Sequence, residues 1–485
     1  SIHTLAVLGP TADRMSALLG NYAGTPKAPV TLIEGIRRKL TPLGVKILHE
    51  PAVPLVAGFN DDSDPLRPGE TFTDATLTTQ GLRGEVFSNI NLEGKACTEF
   101  TDTLLDHRWT AFEPHPIFPA TPTSVRWTGV LMPPIDGEYT LAFDLLGGVR
   151  IFVNDKLKFD QWDKLVNGVE HIKIKLTGGK PASLRIELRQ LHAWGKFIAG
   201  WKRQDHAQRM ERALAAAREA DHILLTLGLT PDLEGEEMKV NAEGFVGGDR
   251  STLHLPACQQ ELLEKVTALG KPVTVVLTGG SAVTFDTGKA NAILHAWYYG
   301  QRGGDAVAAA LLGEFSPGGR LPITFYQSDA DLPPFEDYAM ATPPGRTYRY
   351  FTGKPLFPFG HGLSYATFRY GAPSVTPAIA KPDGTITVAL EITNTGGMSA
   401  DEVVQIYATR KAPLAGDPLR RLVGFQRITL AAGETRKVSI PIPVETLRNW
   451  DETLSAYGVT PGIWELHSGS SSADLRGLTN LTIQP

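Results

Sequence analysis

The sequence predicts an α/β plus all-β protein: an α/β/α sandwich domain interrupted by an inserted β-sandwich and followed by a second β-sandwich. Three observations carry this reading. Continuous apolar runs alternate with amphipathic helices near the start of the chain and again after residue 204, the signature of a parallel sheet covered on both faces. Between these stretches the hydrophobic period drops to two, with frequent turn signals. From about residue 368 the period is two once more.

Taken in order, Thr4-Leu-Ala-Val-Leu8 is an apolar strand closed by Gly9-Pro10. Val30–Leu40 has helical spacing, and Val45–Leu48 opens the next buried strand. Residues 1–73 thus form the first part of the α/β domain. Residues 74–203 hold short alternating segments such as Val125–Gly129, Gly137–Phe143, Val149–Val153 and Ala182–Leu188, and read as the inserted sandwich. Exposed loops tolerate such insertions. The helix–strand rhythm resumes with Gln208–Ala220 and Asp221–Leu227. It continues through the helix Cys258–Leu269, the strand Val273–Leu277, the strand Ala292–Trp297 and the helix Asp305–Leu312. Residues 204–330 are the second part of the α/β domain. Pro, Gly and aromatics crowd 316–365, and 331–367 reads as a connector. In 368–485 the segments Thr385–Thr393, Glu402–Tyr407, Thr435–Ile442 and Ile463–His467 alternate cleanly, as in an immunoglobulin-like or fibronectin type III-like sandwich.

Composition narrows the function. The 485 residues are 42% hydrophobic and 20% charged with a formal net charge of −5, which gives no electrostatic reason to expect nucleic acid or an anionic membrane as partner. No apolar run approaches the ~20 residues of a spanning helix. Ser1 leads almost directly into the first strand, so no secretory leader is expected at this end, and the abrupt start reads as a piece of something longer. The two cysteines, Cys97 and Cys258, lack metal-type spacing and read as small buried hydrophobes. No cofactor is expected.

The densest ionisable group is Asp232-Leu-Glu-Gly-Glu-Glu237, just after a predicted buried strand and ahead of Gly247-Gly-Asp-Arg250. C-terminal ends of parallel strands are where α/β folds place reactive groups. A carboxylic acid can protonate a glycosidic oxygen if burial or a neighbouring carboxylate keeps it protonated, and Glu234, Glu236 and Glu237 stand close enough in sequence for the second effect. The plain alternative is a solvated acidic loop. A nucleotide-binding reading fails, since the first strand ends in Gly-Pro-Thr-Ala-Asp rather than a G-x-G-x-x-G turn.

Segments along the whole chain bear on that choice: Leu5–Asp13 with Leu19-Gly-Asn-Tyr22, Ala296-Trp-Tyr-Tyr-Gly-Gln301, Gly318–Phe325, Tyr348–Phe351, Pro355–Tyr365 (PLFPFGHGLSY), and Ile386–Leu430 with Asn394-Thr-Gly396, Asp401–Tyr407 and Gly424-Phe425. In these the sequence resembles glycoside hydrolase family 3 β-glucosidases, with the last segment resembling the family's fibronectin-like C-terminal domain. Gly81–Phe87, Trp127-Thr-Gly129, Gly137-Glu-Tyr139 and Asp160-Gln-Trp162 resemble the protective-antigen-type β-sandwich inserted in some members.

The resemblance implies a retaining exo-acting glycosidase releasing β-linked glucose, with β-xylosidase or a non-catalytic carbohydrate-binding scaffold as alternatives. It implies Glu236 as general acid/base, with Glu234 and then Glu237 as the other candidates; the family more often has Gly where Glu237 stands. Asp249 and Arg250 match a family Asp-Arg pair and are expected to brace the loop. Trp127 and Trp162 are candidate sugar-stacking rings, though Trp in a sandwich is commonly core. The nucleophile is expected on a (β/α)8 barrel outside these residues, in the same gene product or a second chain. A β-linked oligosaccharide or glucoside is the expected substrate, a homodimer is possible through the extra sandwich, no metal is expected, and a secreted or periplasmic setting is favoured.

Overall fold

The computed structural model describes residues 2–485 except 25, 58–63, 67–68, 110–116, 118–121, 134–135, 193–194, 203–205, 239 and 452–454. The chain divides into two compact units, residues 1–251 with 255–280 and 286–306, and residues 252–254 with 281–285 and 307–485.

In the first unit, five parallel strands form a sheet: β1 (Thr4–Leu8), β2 (Lys46–Glu50), β3 (His222–Gly228), β4 (Val273–Thr278) and β5 (Ala292–His295). Their spatial order is β5-β4-β3-β1-β2. Runs such as Ala6-Val-Leu8 and Val275-Val-Leu277 are fully buried because helices cover both faces. α1 (Leu32–Leu40) joins β1 to β2, α2 (His206–Glu219) precedes β3, α3 (Ala257–Thr267) joins β3 to β4, and α4 (Gly303–Leu311) follows β5. The crossovers through α1 and α3 run in opposite directions along the sheet, so right-handed connections put them on opposite faces. α1 begins where Glu34 reaches back to accept from the Thr31 N–H at 2.9 Å. It then packs so closely that a Cβ on Gly35 would lie 2.2 Å from the Gly304 carbonyl oxygen. β2 departs from the expected buried strand: it is an edge strand, half-buried along most of its length.

The inserted β-sandwich lies between β2 and α2. It starts earlier than residue 74, because the two-residue strands Asp64–Pro65 and Thr71–Phe72 already pair with Trp201/Gly200 and with Leu131/Val130. Strands of two residues carry no periodicity, so the boundary could not be placed from pattern. The segments Gly137–Phe143 and Val149–Val153 are one 17-residue strand, Gly137–Val153. Its first part pairs with Val166–Leu176 and its second with Ala182–Gln190, so it passes from one sheet to the other at Gly147-Gly148. The turn needs glycines: Gly147 has φ +151°, and a Cβ on Gly148 would meet the Trp162 carbonyl oxygen at 2.1 Å.

Between the two sheets lies one apolar core, including Phe143, Ile151, Ile186, Phe197 and Trp201. Inside it sits a polar knot. The Asp102 carboxylate accepts from Trp127 Nε1 at 2.8 Å and pairs with His107 Nε2 at 2.6 Å. Burial opposes a charge on His107, but the Asp102 carboxylate, with Asp106, more than offsets it and raises the imidazole above its ordinary range. On the outer face, Glu85, Arg126, Glu187 and Arg150 stand in register on adjacent strands. Alternating charges explain why Glu187 is only 4% exposed at a solvent-side position.

The second unit is a connector leading into a sandwich. The last regular helix before the connector ends at Leu311, earlier than the expected boundary near 330, and 312–331 contains the 3₁₀ turn Asp329–Asp331 and a single bridge residue, Phe325, paired with Phe357. In the sandwich, Phe368–Tyr370, Ser374–Thr376, Thr385–Asn394 and Thr435–Pro443 form one sheet. Ile379–Ala380, Ala400–Arg410, Arg421–Leu430, Gly462–Ser471 and Asp474–Ile483 form the other. Ile386, Val388, Val404, Ile406, Ile440 and Leu466 fill the space between. Cys97 is exposed rather than buried, its Sγ facing the Val86 carbonyl at 3.3 Å, while Cys258 is buried in α3.

Asp102→Ala leaves two buried donors without their acceptor and should cost about 3–5 kcal/mol, read as early loss of the sandwich's near-UV signal in chemical denaturation. Because the folded pKa of His107 is raised, the stability it contributes is full below about pH 6.5 and lost as pH rises through the folded value. Comparison of wild type with His107→Gln across pH should show a gap that closes toward alkaline pH.

Candidate active site

In the spatial order β2-β1-β3-β4-β5 the direction of winding reverses between β1 and β3. Ligands of doubly wound sheets bind at such a switch point, outside the carboxyl ends of the strands. Here the loops after β1 and β3 carry Asn21-Tyr22 and Asp232–Glu237.

The Asp232–Glu237 loop is pinned by one of its own carboxylates. Leu233 N–H and Glu234 N–H both donate to the Thr230 carbonyl, making a tight turn at 2.9 and 3.2 Å. This aims the Glu234 side chain at the ends of β4 and β5. Its Oε1 accepts from Gly280 N–H at 2.7 Å and from the Tyr298 hydroxyl at 2.5 Å. Its carbonyl accepts from Asn21 Nδ2 at 2.8 Å. Burial, and then the Glu234 charge, push the Tyr298 phenol far above its ordinary pKa, so it stays a donor. Close by, Asp232 lies 4.0 Å from Arg14.

Glu236 is exposed, and its Oε2 accepts a hydrogen bond from the Tyr22 hydroxyl. Tyr22 is 88% exposed with φ +59°. The hydrogen bond to Glu236, then the Glu236 charge, raise its phenol pKa. Glu237 is exposed with φ +49°. That left-handed conformation suits glycine. Of the three candidate glutamates, then, Glu234 has a carboxylate oxygen held by two donors, Glu237 sits on a strained turn, and Glu236 presents its carboxylate to the open side.

Asp249 and Arg250 form the last strand of a small antiparallel sheet with Asn241–Ala242 and Phe245–Val246. Asp249 is exposed and Arg250 half-buried opposite Phe245. The backbone braces to the acidic loop come from their glycine neighbours: Gly235 N–H donates to the Gly248 carbonyl at 3.2 Å and Met238 N–H to that of Gly247 at 2.9 Å. No side chain fits there, since a Cβ on Gly248 would lie 2.1 Å from the Gly235 carbonyl oxygen.

The two tryptophans lie in the inserted sandwich. Trp127 is 0% exposed, stacked on Phe197 at 4.8 Å and hydrogen-bonded to Asp102. Its faces are closed, and it is a core residue rather than a sugar platform. Trp162 is half-buried with the Arg150 guanidinium 4.2 Å from its ring centre, so that face is taken too.

Sequence reasoning missed Asn21, Tyr22, Gly280 and Tyr298 as site residues. Tyr22 and Tyr298 do fall within segments that carry the family resemblance, Leu19–Tyr22 and Ala296–Gln301. What pattern lacked was the fold that brings the ends of β1, β3, β4 and β5 together. His295, at the end of β5, packs on Trp297 at 4.0 Å between ring centres. Burial drives its pKa down to about 4. Among the described residues, no three His, Cys, Asp or Glu side chains converge as metal ligands.

Three substitutions test this geometry. Gly248→Ala, which combines a clash with φ +90°, should lower the melting temperature of the first unit by several degrees. Glu237→Gly should be neutral or raise it, relieving about 1 kcal/mol. For His295 the folded pKa is depressed, so stability is full above about pH 6.5 and falls as pH drops from there to about 4, by on the order of 3 kcal/mol. A His295→Gln variant compared with wild type over that window should lose this acid-side slope.

Comparison with known proteins matches this architecture to a family. Residues 1–365 match the Glycosyl hydrolase family 3 C-terminal domain, and residues 402–472 match the Fibronectin type III-like domain. A xylan 1,4-beta-xylosidase of Xylanibacter ruminicola is 33% identical over 99% of this chain and 54% of its own length. A probable beta-glucosidase J of Aspergillus fumigatus is 27% identical over 99% of this chain and 59% of its own. A periplasmic beta-glucosidase of Salmonella typhimurium is 32% identical over 55% of this chain and 35% of its own. The fold is shared with the crystal structure of beta-glucosidase from Kluyveromyces marxianus in complex with glucose. That match has a TM-score of 0.73 at 24% identity and covers 99% of this chain and 58% of the other. The chain spans about half the length of the relatives it matches throughout. With the switch-point loops, the interrupted α/β domain and the terminal sandwich all accounted for by these matches, the chain belongs to glycosyl hydrolase family 3.

Proposed function

We propose that these residues form the acid/base half of a retaining, exo-acting β-glycosidase, with Glu236 as the general acid/base. The observation that supports this most directly is the division of labour in the acidic loop. Glu234 has an oxygen committed to Gly280 and Tyr298, whereas Glu236 is exposed on the open side of the switch point, its carboxylate accepting from the Tyr22 hydroxyl.

In the first step the glycosidic C–O bond breaks as a nucleophilic carboxylate bonds the anomeric carbon. Glu236 gives its proton to the departing oxygen. In the second, water attacks the same carbon, Glu236 takes a water proton, and the glycosyl ester is released as free carboxylate. Retention calls for two carboxyl groups roughly 5–5.5 Å apart across the bond. The family resemblance assigns the second to an aspartate of a (β/α)8 barrel, which these residues do not include. Tyr22 holds Glu236 by its hydroxyl and acts as a positioning residue. Asp249 and Arg250 are read as support for the strand that presents Gly247 and Gly248 to the loop.

Two sugars fit this reading about equally. The family pattern suggests β-linked glucose, while a relative aligned over nearly the whole chain is named a xylan 1,4-beta-xylosidase. Residues that choose between the two are expected on the barrel.

The test is hydrolysis of β-glucosides and β-xylosides by the protein carrying these residues together with the nucleophile region. Glu236→Gln should cut kcat/KM on alkyl glycosides by about 10²–10⁴-fold and on dinitrophenyl glycosides far less, because a good leaving group needs no proton. Tyr22→Phe should lower kcat with little change in KM. Equal losses on both substrate classes in Glu236→Gln would exclude a proton-transfer role.

A further inference from the structure

Two motifs left unused by the acidic loop, Gly318-Gly-Arg320 and Phe359-Gly-His361, converge in the second unit. A Cβ on Gly362 would lie 2.2 Å from the Gly319 carbonyl oxygen, so the two backbones touch. Beside them opens a cavity of about 790 Å³ at one end of the fibronectin-like sandwich, bounded also by Tyr370, Glu402 and the turn Ser470–Arg476. This is the size of a small-molecule site.

Four of the charged groups around it are held in two pairs. Arg320 is 9% exposed and Glu402 3%, and they meet at 2.8 Å. Arg320 also donates to the Gly319 carbonyl at 3.1 Å. Across the cavity Asp474 accepts from Arg476 at 2.6 Å and from Ser470 Oγ at 2.6 Å. Glu402 occupies a core-facing position of its strand, in line with the apolar Val404 and Ile406. An apolar residue there would serve packing better than a buried ion pair. His361 lies against Phe357, and burial, then Arg320, lower its pKa, so it offers one donor and one acceptor at neutral pH.

We propose that this cavity binds a small neutral saccharide, one or two sugar units long. Sugar hydroxyls donate and accept at once, and fixed guanidinium–carboxylate pairs present both functions without rearrangement. Arg320 and Arg476 are each spent on a carboxylate, which leaves the exposed Arg369 of the lining to attract an anion, so the phosphate arm of the test is the discriminating one. Phe368, partly buried beside the cavity, adds an apolar patch for the C–H face of a sugar ring. This proposal does not rest on the role given to Glu236.

Titration calorimetry and saturation-transfer NMR of this chain with xylobiose and cellobiose, and with inorganic phosphate as the anionic control, test it. Ala473, exposed at the rim, is replaced by Trp to fill the cavity, and Leu363→Trp serves the same end if the first variant fails to fold. Saturable disaccharide binding should weaken by about tenfold or more in a folded filling variant. Binding that the filling variants leave intact, phosphate binding without saccharide binding, or no binding at all would overturn it.

Discussion

The arrangement around the acidic loop depends on one carboxylate. Glu234 gathers the Gly280 amide and the Tyr298 hydroxyl from the ends of β4 and β5. The peptide that carries it takes a side-chain amide from Asn21, after β1. Four strand ends are thereby tied at the carboxyl edge of the sheet. Charge-assisted bonds of this kind are roughly twice as strong as neutral ones, and the near-total burial of β1, β3 and β4 beneath limits how the edge can shift. Held this way, the loop can present its next-but-one residue, Glu236, without spending that side chain on structure.

Both sandwiches are built around a polar exception. In the inserted module, Asp102 binds Trp127 and His107 inside an apolar core. In the terminal module, Glu402 meets Arg320 from the connector. Each exception costs desolvation, and each fixes one geometry, since any alternative leaves a buried donor or charge unpaired. Trp127 shows how such a knot changes the meaning of a residue: the ring that looked available to a sugar is the donor that satisfies Asp102.

Much of the fold was legible because its longer elements obey simple periods. β1, β3 and β4 were expected within a residue or two, as were α2 and α3, since continuous apolar runs and 3.6-residue spacing leave few alternatives. The pattern failed where structure is carried by other means. Asp64–Pro65 and Thr71–Phe72 are too short for a period. The strand Gly137–Val153 looked like two because glycines mark its passage between sheets. β2 looked buried but lies at an edge, a matter of topology rather than of its own residues. At the site, composition indicated the acidic loop, and the family resemblance ordered its glutamates. The roles of Tyr22, Gly280 and Tyr298 depend on contacts 46 to 214 residues apart in sequence, which local reading does not reach.

The most direct test of this account exchanges the two glutamates under chemical rescue. In the protein carrying the nucleophile region, Glu236→Ala and Glu234→Ala are each assayed on an activated aryl glycoside with and without azide. Azide should accelerate only Glu236→Ala and yield a β-glycosyl azide, because only there does removal of the side chain open the space of the proton acceptor. Rescue of Glu234→Ala, with Glu236→Ala unresponsive, would reverse the assignment and contradict the structural role given to Glu234.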